Sequence, residues 1–535
     1  MLLAMIGVIA EPAESEVVCE FFELFKTPWE WYRAGRHYEV LLCAGDCDLD
    51  LSSADLVVIY GSRPLPFDLK AGLETVSQGK HAGEVRYGDD RIPIYGGSIT
   101  FRDDAGISVN DETGQSAVYI RQEGSRRVAR IGYDLFQEVG RLLAAGQPAA
   151  NAGVPTLELH IALLRSIIIR SGIPFVEIPP APEGYRFIAS LTHDIDHPSI
   201  RRHFFDHTVS GFLYRAVLVT LAKACRKQVP IRSLLRNWAA VVKLPFVYLG
   251  LANDFWYQFD RYLSLENGRP STFFVIPHKG RPGRLNQGTA PDFRASKYCA
   301  ADIAAKIQVL LSAGCEIGVH GIDAWLDRSS GRAELESILG ITGRQRAGVR
   351  MHWLYFDEQS PLALDEAGAD YDSTVGYNNT IGYRAGTTQV YKPRGASRLL
   401  ELPLHVMDTA MFYPVHLNLS LREAHERIGR IIEYAVELGG AVTVNWHDRS
   451  ISPERCWDDF YIELVRNLSS KGAWFATAAD TVSWFRKRRS AVFEFDGEGS
   501  DMPRLKVTDR EAADLPALQL RVYNLRQTQP GLSAA

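Results

Sequence analysis

Tyr185-Arg186-Phe187-Ile188-Ala189-Ser190-Leu191-Thr192-His193-Asp194-Ile195-Asp196-His197 is the stretch that decides the reading of this chain. An apolar run stops abruptly in two carboxylates and two imidazoles. Buried strands that end this way deliver their polar groups to the mouth of a parallel sheet or barrel, where catalytic and metal-binding groups collect. If extended geometry continues, Asp194 and Asp196 project from one face while Ile195 turns back into the core. Two carboxylates that close need a cation or a shared proton, so an Asp-x-Asp pair commonly combines a metal ligand with a base beside it. A polar strand end capping a helix is the bland alternative.

The same pattern recurs downstream. Ser271-Thr272-Phe273-Phe274-Val275-Ile276-Pro277 reads as a second buried strand, and Gly314-Cys315-Glu316-Ile317-Gly318-Val319-His320-Gly321 as a third that ends in a histidine. Gly348-Val349-Arg350-Met351-His352-Trp353 places Arg350 and His352 on one strand face. Asp370-Tyr371-Asp372-Ser373-Thr374-Val375 follows, then the turn-like Gly382-Tyr383-Arg384-Ala385-Gly386-Thr387. Glu401-Leu402-Pro403-Leu404-His405-Val406-Met407-Asp408 and Ala441-Val442-Thr443-Val444-Asn445-Trp446-His447-Asp448 are two more apolar runs closing in His and Asp.

Thr-His-Asp-Ile-Asp, Ser-Thr-Phe-Phe-Val and Cys-Glu-Ile-Gly-Val-His, in that order, resemble the motifs of the NodB-type polysaccharide deacetylases, carbohydrate esterase family four. The resemblance runs from Arg186 to Arg488 and fits the Asp-x-Asp subgroup. It implies an α/β fold: a distorted (β/α) barrel holding one divalent metal ion, usually zinc, through an Asp and two His. Carried over residue by residue, Asp194 resembles the catalytic base, Asp196 the carboxylate ligand and His320 the first histidine ligand. Arg350 matches the arginine that ion-pairs with the base, and a carboxylate in a partly dry site needs such a partner to stay ionised. His447 matches the general acid, with Trp446 as a wall for the acyl methyl or sugar ring. Asp372 matches a supporting aspartate behind the site, and Tyr383 and Arg384 are candidates to grip a sugar.

One position departs from the pattern. The second histidine ligand is expected four residues after His320, where a helical turn would place two imidazoles side by side, but the chain has Ala324. Alanine binds no metal. His352 is the preferred substitute and Asp323 the alternative, with His193, His197 and His405 also in reserve.

Together these residues describe metal-assisted hydrolysis of an acetamide or acetate ester on a glycan, the activity of a carbohydrate deacetylase acting on non-peptide carbon–nitrogen bonds. Asp194 and Asp196 lie too close on one strand for the separated acid and base of a glycosidase. No Gly-x-Ser-x-Gly elbow is present. The competing expectation, motivated by Ala324, is an inactive barrel that serves as a glycan-binding or polysaccharide-assembly module.

At 535 residues the chain exceeds one ordinary core. We expect an α+β accessory domain over 1–150, a helical linker over 151–184, the barrel over 185–490 and a C-terminal extension over 491–535. A helical insertion at 203–256 mixes apolar residues with Arg215, Lys223, Arg226, Lys227, Arg232, Arg236 and Lys243. It would cover the barrel, hold an anionic glycan or make peripheral contact with a membrane surface. A net charge of −5 gives no general attraction for nucleic acid. Seven scattered cysteines without a Cys-x-x-Cys pair argue against a disulfide framework and a cysteine zinc site. Residues 1–10 are apolar but lack a basic start, so they do not read as a secretory signal. These features favour the cytoplasm, and with it a soluble or lipid-linked sugar intermediate as substrate.

Overall fold

The computed structural model describes residues 4–46, 54–77, 83–102, 109–111, 114–124, 126–204, 206–226, 229–494, 503–508 and 514–523. Its first unit is a six-stranded sheet in the order Val118–Glu123, Arg126–Ile131, Ala54–Tyr60, Tyr38–Ala44, Ile6–Ile9 and Trp29–Trp31. Every pairing is parallel except at the Val118–Glu123 edge. The runs Val40-Leu41-Leu42-Cys43 and Leu56-Val57-Val58-Ile59 are buried on both faces, as unbroken apolar strands of a covered parallel sheet should be. A hairpin of Gly83–Tyr87 and Asp90–Ile94 stands beside this sheet.

Residues 151–184 read from the sequence as a helical linker, and the helix found there packs into both units. The helix Thr156–Arg170 buries Leu157, Leu159, Leu163, Leu164 and Ile167 in the core of the first sheet. Glu158 at its start accepts hydrogen bonds from Thr387 and Thr388 of the barrel. A strongly apolar helix has two surfaces to cover, and here both neighbours supply them.

The second unit is a seven-stranded, curled parallel sheet, an open (β/α) barrel. Its path runs Val349–Met351, Glu316–Gly321, Ser271–Val275, Phe187–Ile195, Ala441–Asn445, Val406–Met407, with Ala473–Phe475 pairing off the path to the start of Phe187–Ile195. All of these pairings are parallel. Strand Phe187–Ile195 is buried throughout and lies between Ser271–Val275 and Ala441–Asn445. Helices Ala304–Ser312, Arg328–Thr342, Leu421–Leu438 and Asp458–Ser470 pack outside it around one apolar core.

The insertion folds as a helical hairpin: His207–Tyr214, a π-helical turn Arg215–Val219 and Thr220–Cys225 lead back along Ile231–Tyr248. The last helix of the barrel, Ala478–Arg489, clasps the first unit. Arg488 donates to the carbonyls of Glu23, Leu24 and Ile178, and Arg489 makes a two-armed ion pair with Glu20 at 2.8 Å. Further on, Arg521–Tyr523 forms a short strand antiparallel to Phe175–Glu177.

Candidate metal centre and active site

Four strand ends at the carboxyl edge of the barrel sheet bring the anticipated groups together: Asp194 and Asp196, His320, Arg350 and His352, and His447. The alternation holds: Asp194 and Asp196 face the same way and approach the imidazole of His320, with oxygens 3.9 Å and 3.2 Å from Nε2. Parallel register sets His320 directly opposite Arg350. The Nδ1 of His320 lies 3.0 Å from the Arg350 carbonyl. Because a carbonyl only accepts, Nδ1 carries the proton and Nε2 presents its lone pair inward.

The third member is His352. Its Nδ1 lies 3.3 Å from Asp196 Oδ1 and 3.0 Å from His320 Nε2. Asp196, His320 and His352 thus form a cluster whose ligand atoms all lie within 4.8 Å of one another. Asp196 Oδ1 is buried and accepts no hydrogen bond. Lone pairs from one carboxylate and two imidazoles pointed at one spot repel unless a cation or proton sits among them, and this donor set suits a divalent ion such as zinc. Burial alone would raise the Asp196 carboxyl, but the imidazoles of His352 and His320 hold it well below the usual carboxylate range.

The remaining candidates separate cleanly. Asp323 accepts from the Arg284 backbone and belongs to that loop. Ala324 is fully buried, and the helix beyond it packs so closely that a Cβ on Gly331 would lie 3.3 Å from the Ala324 carbonyl. A larger side chain at Ala324 would have to displace its packed neighbours in the barrel core. His405 is buried between the Thr387 carbonyl and the Thr443 amide, and His193 bridges the Trp446 carbonyl and Glu266 while stacking on Tyr262. Both are core histidines. His197 does line the cavity, but its amide leans on Asp448 and it is not in the cluster.

Asp194 is held from two sides. Arg350 NH1 donates to Oδ1 at 3.2 Å, and Asn445 Nδ2 donates to Oδ2 at 2.7 Å. Arg350 is itself fully buried and fixed by Thr192 Oγ1, the Ser373 carbonyl and the Ser373 hydroxyl. Opposite, His447 Nε2 lies 3.8 Å from Asp196, and its Nδ1 is 2.6 Å from Asp408 Oδ1. Asp408 is buried and also accepts from the His447 amide and the Ser450 hydroxyl. Burial would lower the His447 pKa, but Asp408, then Asp196 and Asp194, push it up to about 10. Nearby Asp448 is pushed up to about 7, by burial first and by Asp196 second.

Asp408 and Asn445 are the two site residues the sequence reading passed over. Both stand in runs it quoted, and an acid or amide at a strand end was the available signal. Three other expectations are corrected. Tyr383 is fully buried, its hydroxyl donating to the Ile431 carbonyl, and Arg384 donates to the Gly376 carbonyl. Trp446 is fully buried and stacked on Phe460. None of the three lines the cavity. Asp372 is buried behind Arg350, bonded to Thr374 and against Glu401.

The cavity in front of these groups measures about 650 Å³. Asp194, Asp196, His320, His352 and His447 form its floor side, while Phe293, Trp353 and Tyr413 supply apolar and aromatic surface. That size accommodates a sugar residue or two. The fold and the site therefore define an open (β/α) barrel carrying a His/Asp cluster fit to hold a metal ion, with Asp194 and His447 beside it.

No model of a known protein family matches the chain. No curated protein matches it either. Among solved structures, it is similar to a Mycobacterium smegmatis protein assigned to the polysaccharide deacetylases, at 18% identity over 58% of this chain and 95% of that one, TM-score 0.35. PuuE allantoinase is similar at 14% identity over 57% of this chain and 92% of its own, TM-score 0.34. The carbohydrate deacetylase Agd3 is similar at 8% identity over 93% of this chain and 90% of its own, TM-score 0.33.

Proposed function

We propose that the protein is a metal-dependent hydrolase that removes acetyl groups, N- or O-linked, from a glycan or a glycan intermediate. The observation that carries this reading is the convergence of three buried constellations on one cavity: the Asp196, His320 and His352 cluster, the Asp194 and Arg350 pair, and the His447 and Asp408 pair. A binding module has no use for a base and an acid on either side of a ligand cluster.

A divalent cation held by Asp196, His320 and His352, zinc by donor preference, would supply Lewis acidity toward water and an acyl oxygen. The protein's own groups move the protons. Asp194, anchored by Arg350 and Asn445, takes a proton from the attacking water as its oxygen bonds to the acyl carbon. His447, kept protonated by Asp408, gives its proton to the departing nitrogen or oxygen as the carbon–heteroatom bond breaks. Water is thereby added across the acyl bond, and acetate and the free amine or alcohol leave.

The test pairs metal content with turnover. We expect about one tightly held divalent ion per chain, lost together with activity in Asp196→Asn, His320→Ala and His352→Ala. Asp194→Asn should keep the ion and lose about 10²-fold or more in acetate release from acetylated oligosaccharides. A parent protein that takes up no stoichiometric metal, or a fully active Asp194→Asn, overturns the proposal.

A further inference from the structure

The helical insertion is the least explained part of the molecule. From His207 to Asn253 the sequence contains seven Lys and Arg residues and not one Asp or Glu, within a chain whose net charge is −5. Its longest helix, Ile231–Tyr248, has three distinct faces. Leu234, Asn237, Ala240, Leu244 and Val247 are buried toward the rest of the protein. A second stripe of Ile231, Leu235, Trp238, Val242, Phe246 and the adjoining Leu249 follows the helical repeat but faces outward, each between 42% and 72% exposed. Along one edge of that stripe stand Arg232, Arg236 and Lys243. Arg236 and Arg232 reach Asp458 and Asp459 on the barrel and fix the hairpin in place.

The companion arm repeats the arrangement. Tyr214, Leu218 and Leu221, one helical turn apart, are 60%, 57% and 38% exposed, and exposed Arg226 lies at the arm's end. Large apolar side chains gathered on one side of a monomer mark an interaction surface rather than ordinary scatter. The apolar surface also continues toward the cavity. His207, the first residue of the hairpin, lines the cavity and lies 6.1 Å from the ring of Phe293, itself 5.5 Å from Trp353 at the rim.

We infer that this hairpin docks the protein on the surface of an anionic lipid bilayer. The charge pattern selects this occupant. A surface shared with a second copy of the chain would set cation against cation, whereas anionic head groups complement a cationic rim while the acyl region takes the Leu, Val, Trp and Phe stripe. No helix among the described residues is long and apolar enough to cross a membrane, so the contact is peripheral. Docked in this way, the protein brings the mouth of its cavity beside the lipid surface.

Co-sedimentation of the full chain with phosphatidylcholine vesicles, with and without phosphatidylglycerol, tests the inference. The protein should pellet with the vesicles containing phosphatidylglycerol, less with phosphatidylcholine alone, and less again in high salt. Leu235→Glu combined with Val242→Glu should weaken vesicle binding by about tenfold or more, with unchanged melting temperature and metal content. Lys243→Glu, on the polar edge, should weaken it less and only on the anionic vesicles. A parent protein that remains in the supernatant overturns the inference, whether it is monomeric or light scattering shows it pairing through this face. So does a double variant that binds vesicles as well as the parent.

Discussion

His447 shows how one buried neighbour sets the chemistry of another. Its imidazole would be neutral if burial acted alone; Asp408, 2.6 Å from Nδ1, fixes the tautomer and stabilises the protonated ring. Replacing Asp408 with Asn removes a negative charge from a site where charge interactions are strong. The pKa of His447 should therefore fall, and a pH–rate profile of Asp408→Asn should show its alkaline limb moved to lower pH, with turnover reduced by roughly 10²- to 10⁴-fold. An unmoved limb would separate His447 from the proton transfer. At this scale the sequence was informative where a group sits at the end of its own strand, as Asp194, Asp196 and His320 do. It was silent where a role depends on a partner far along the chain: Asn445 reaches Asp194 across 251 positions, and Asp408 reaches His447 across 39.

Among the elements, the end of strand Val349–Met351 does what a helical turn was expected to do. His352 enters the cluster immediately after that strand, and the next two residues, Trp353 and Leu354, adopt left-handed backbone angles with φ of 62° and 53°. Such conformations cost of order 1 kcal/mol each for residues other than glycine, so the surrounding packing enforces the turn that aims the imidazole. The expected position, Ala324, lies in a tight helix contact instead. Ala324→His should therefore not raise metal stoichiometry; it should destabilise the fold by about 1–3 kcal/mol through overpacking, read by chemical denaturation. A second bound ion or a stabilised protein would show that the turn can open. The segment 382–387 misled for a related reason. Its glycines and polar residues read as a surface turn, but Gly382 has a φ of +134° and a Cβ there would sit 1.9 Å from the Ala152 carbonyl. Local composition carries no trace of a neighbour that arrives from more than two hundred residues away.

For the whole molecule, the junction between the two sheets carries its own pH dependence. Glu158 is buried where the helix Thr156–Arg170 meets the barrel, and burial pushes its pKa up to about 7 despite hydrogen bonds from Thr387 and Thr388. A folded-state pKa above the unfolded value of 4.5 means that the native protein binds the extra proton. The contribution is fully present below about pH 4.5 and is lost as pH rises through about 7, a change of order 3 kcal/mol. Between about pH 5 and pH 8, Glu158→Gln should lose less stability than the parent in urea titrations, whereas parallel slopes would place the ionisation elsewhere. The parallel strands of both sheets were legible as unbroken apolar runs, but how the sheets join was not, because Arg488 and Arg489 look in sequence like any basic helix end. Their bonds to Leu24 and Glu20 span 464 and 469 positions. At ribosomal speeds that interval lasts roughly half a minute. Throughout it, the early sheet waits with part of its surface uncovered, so this chain must finish its first domain almost last and is exposed to aggregation for as long as it is being made.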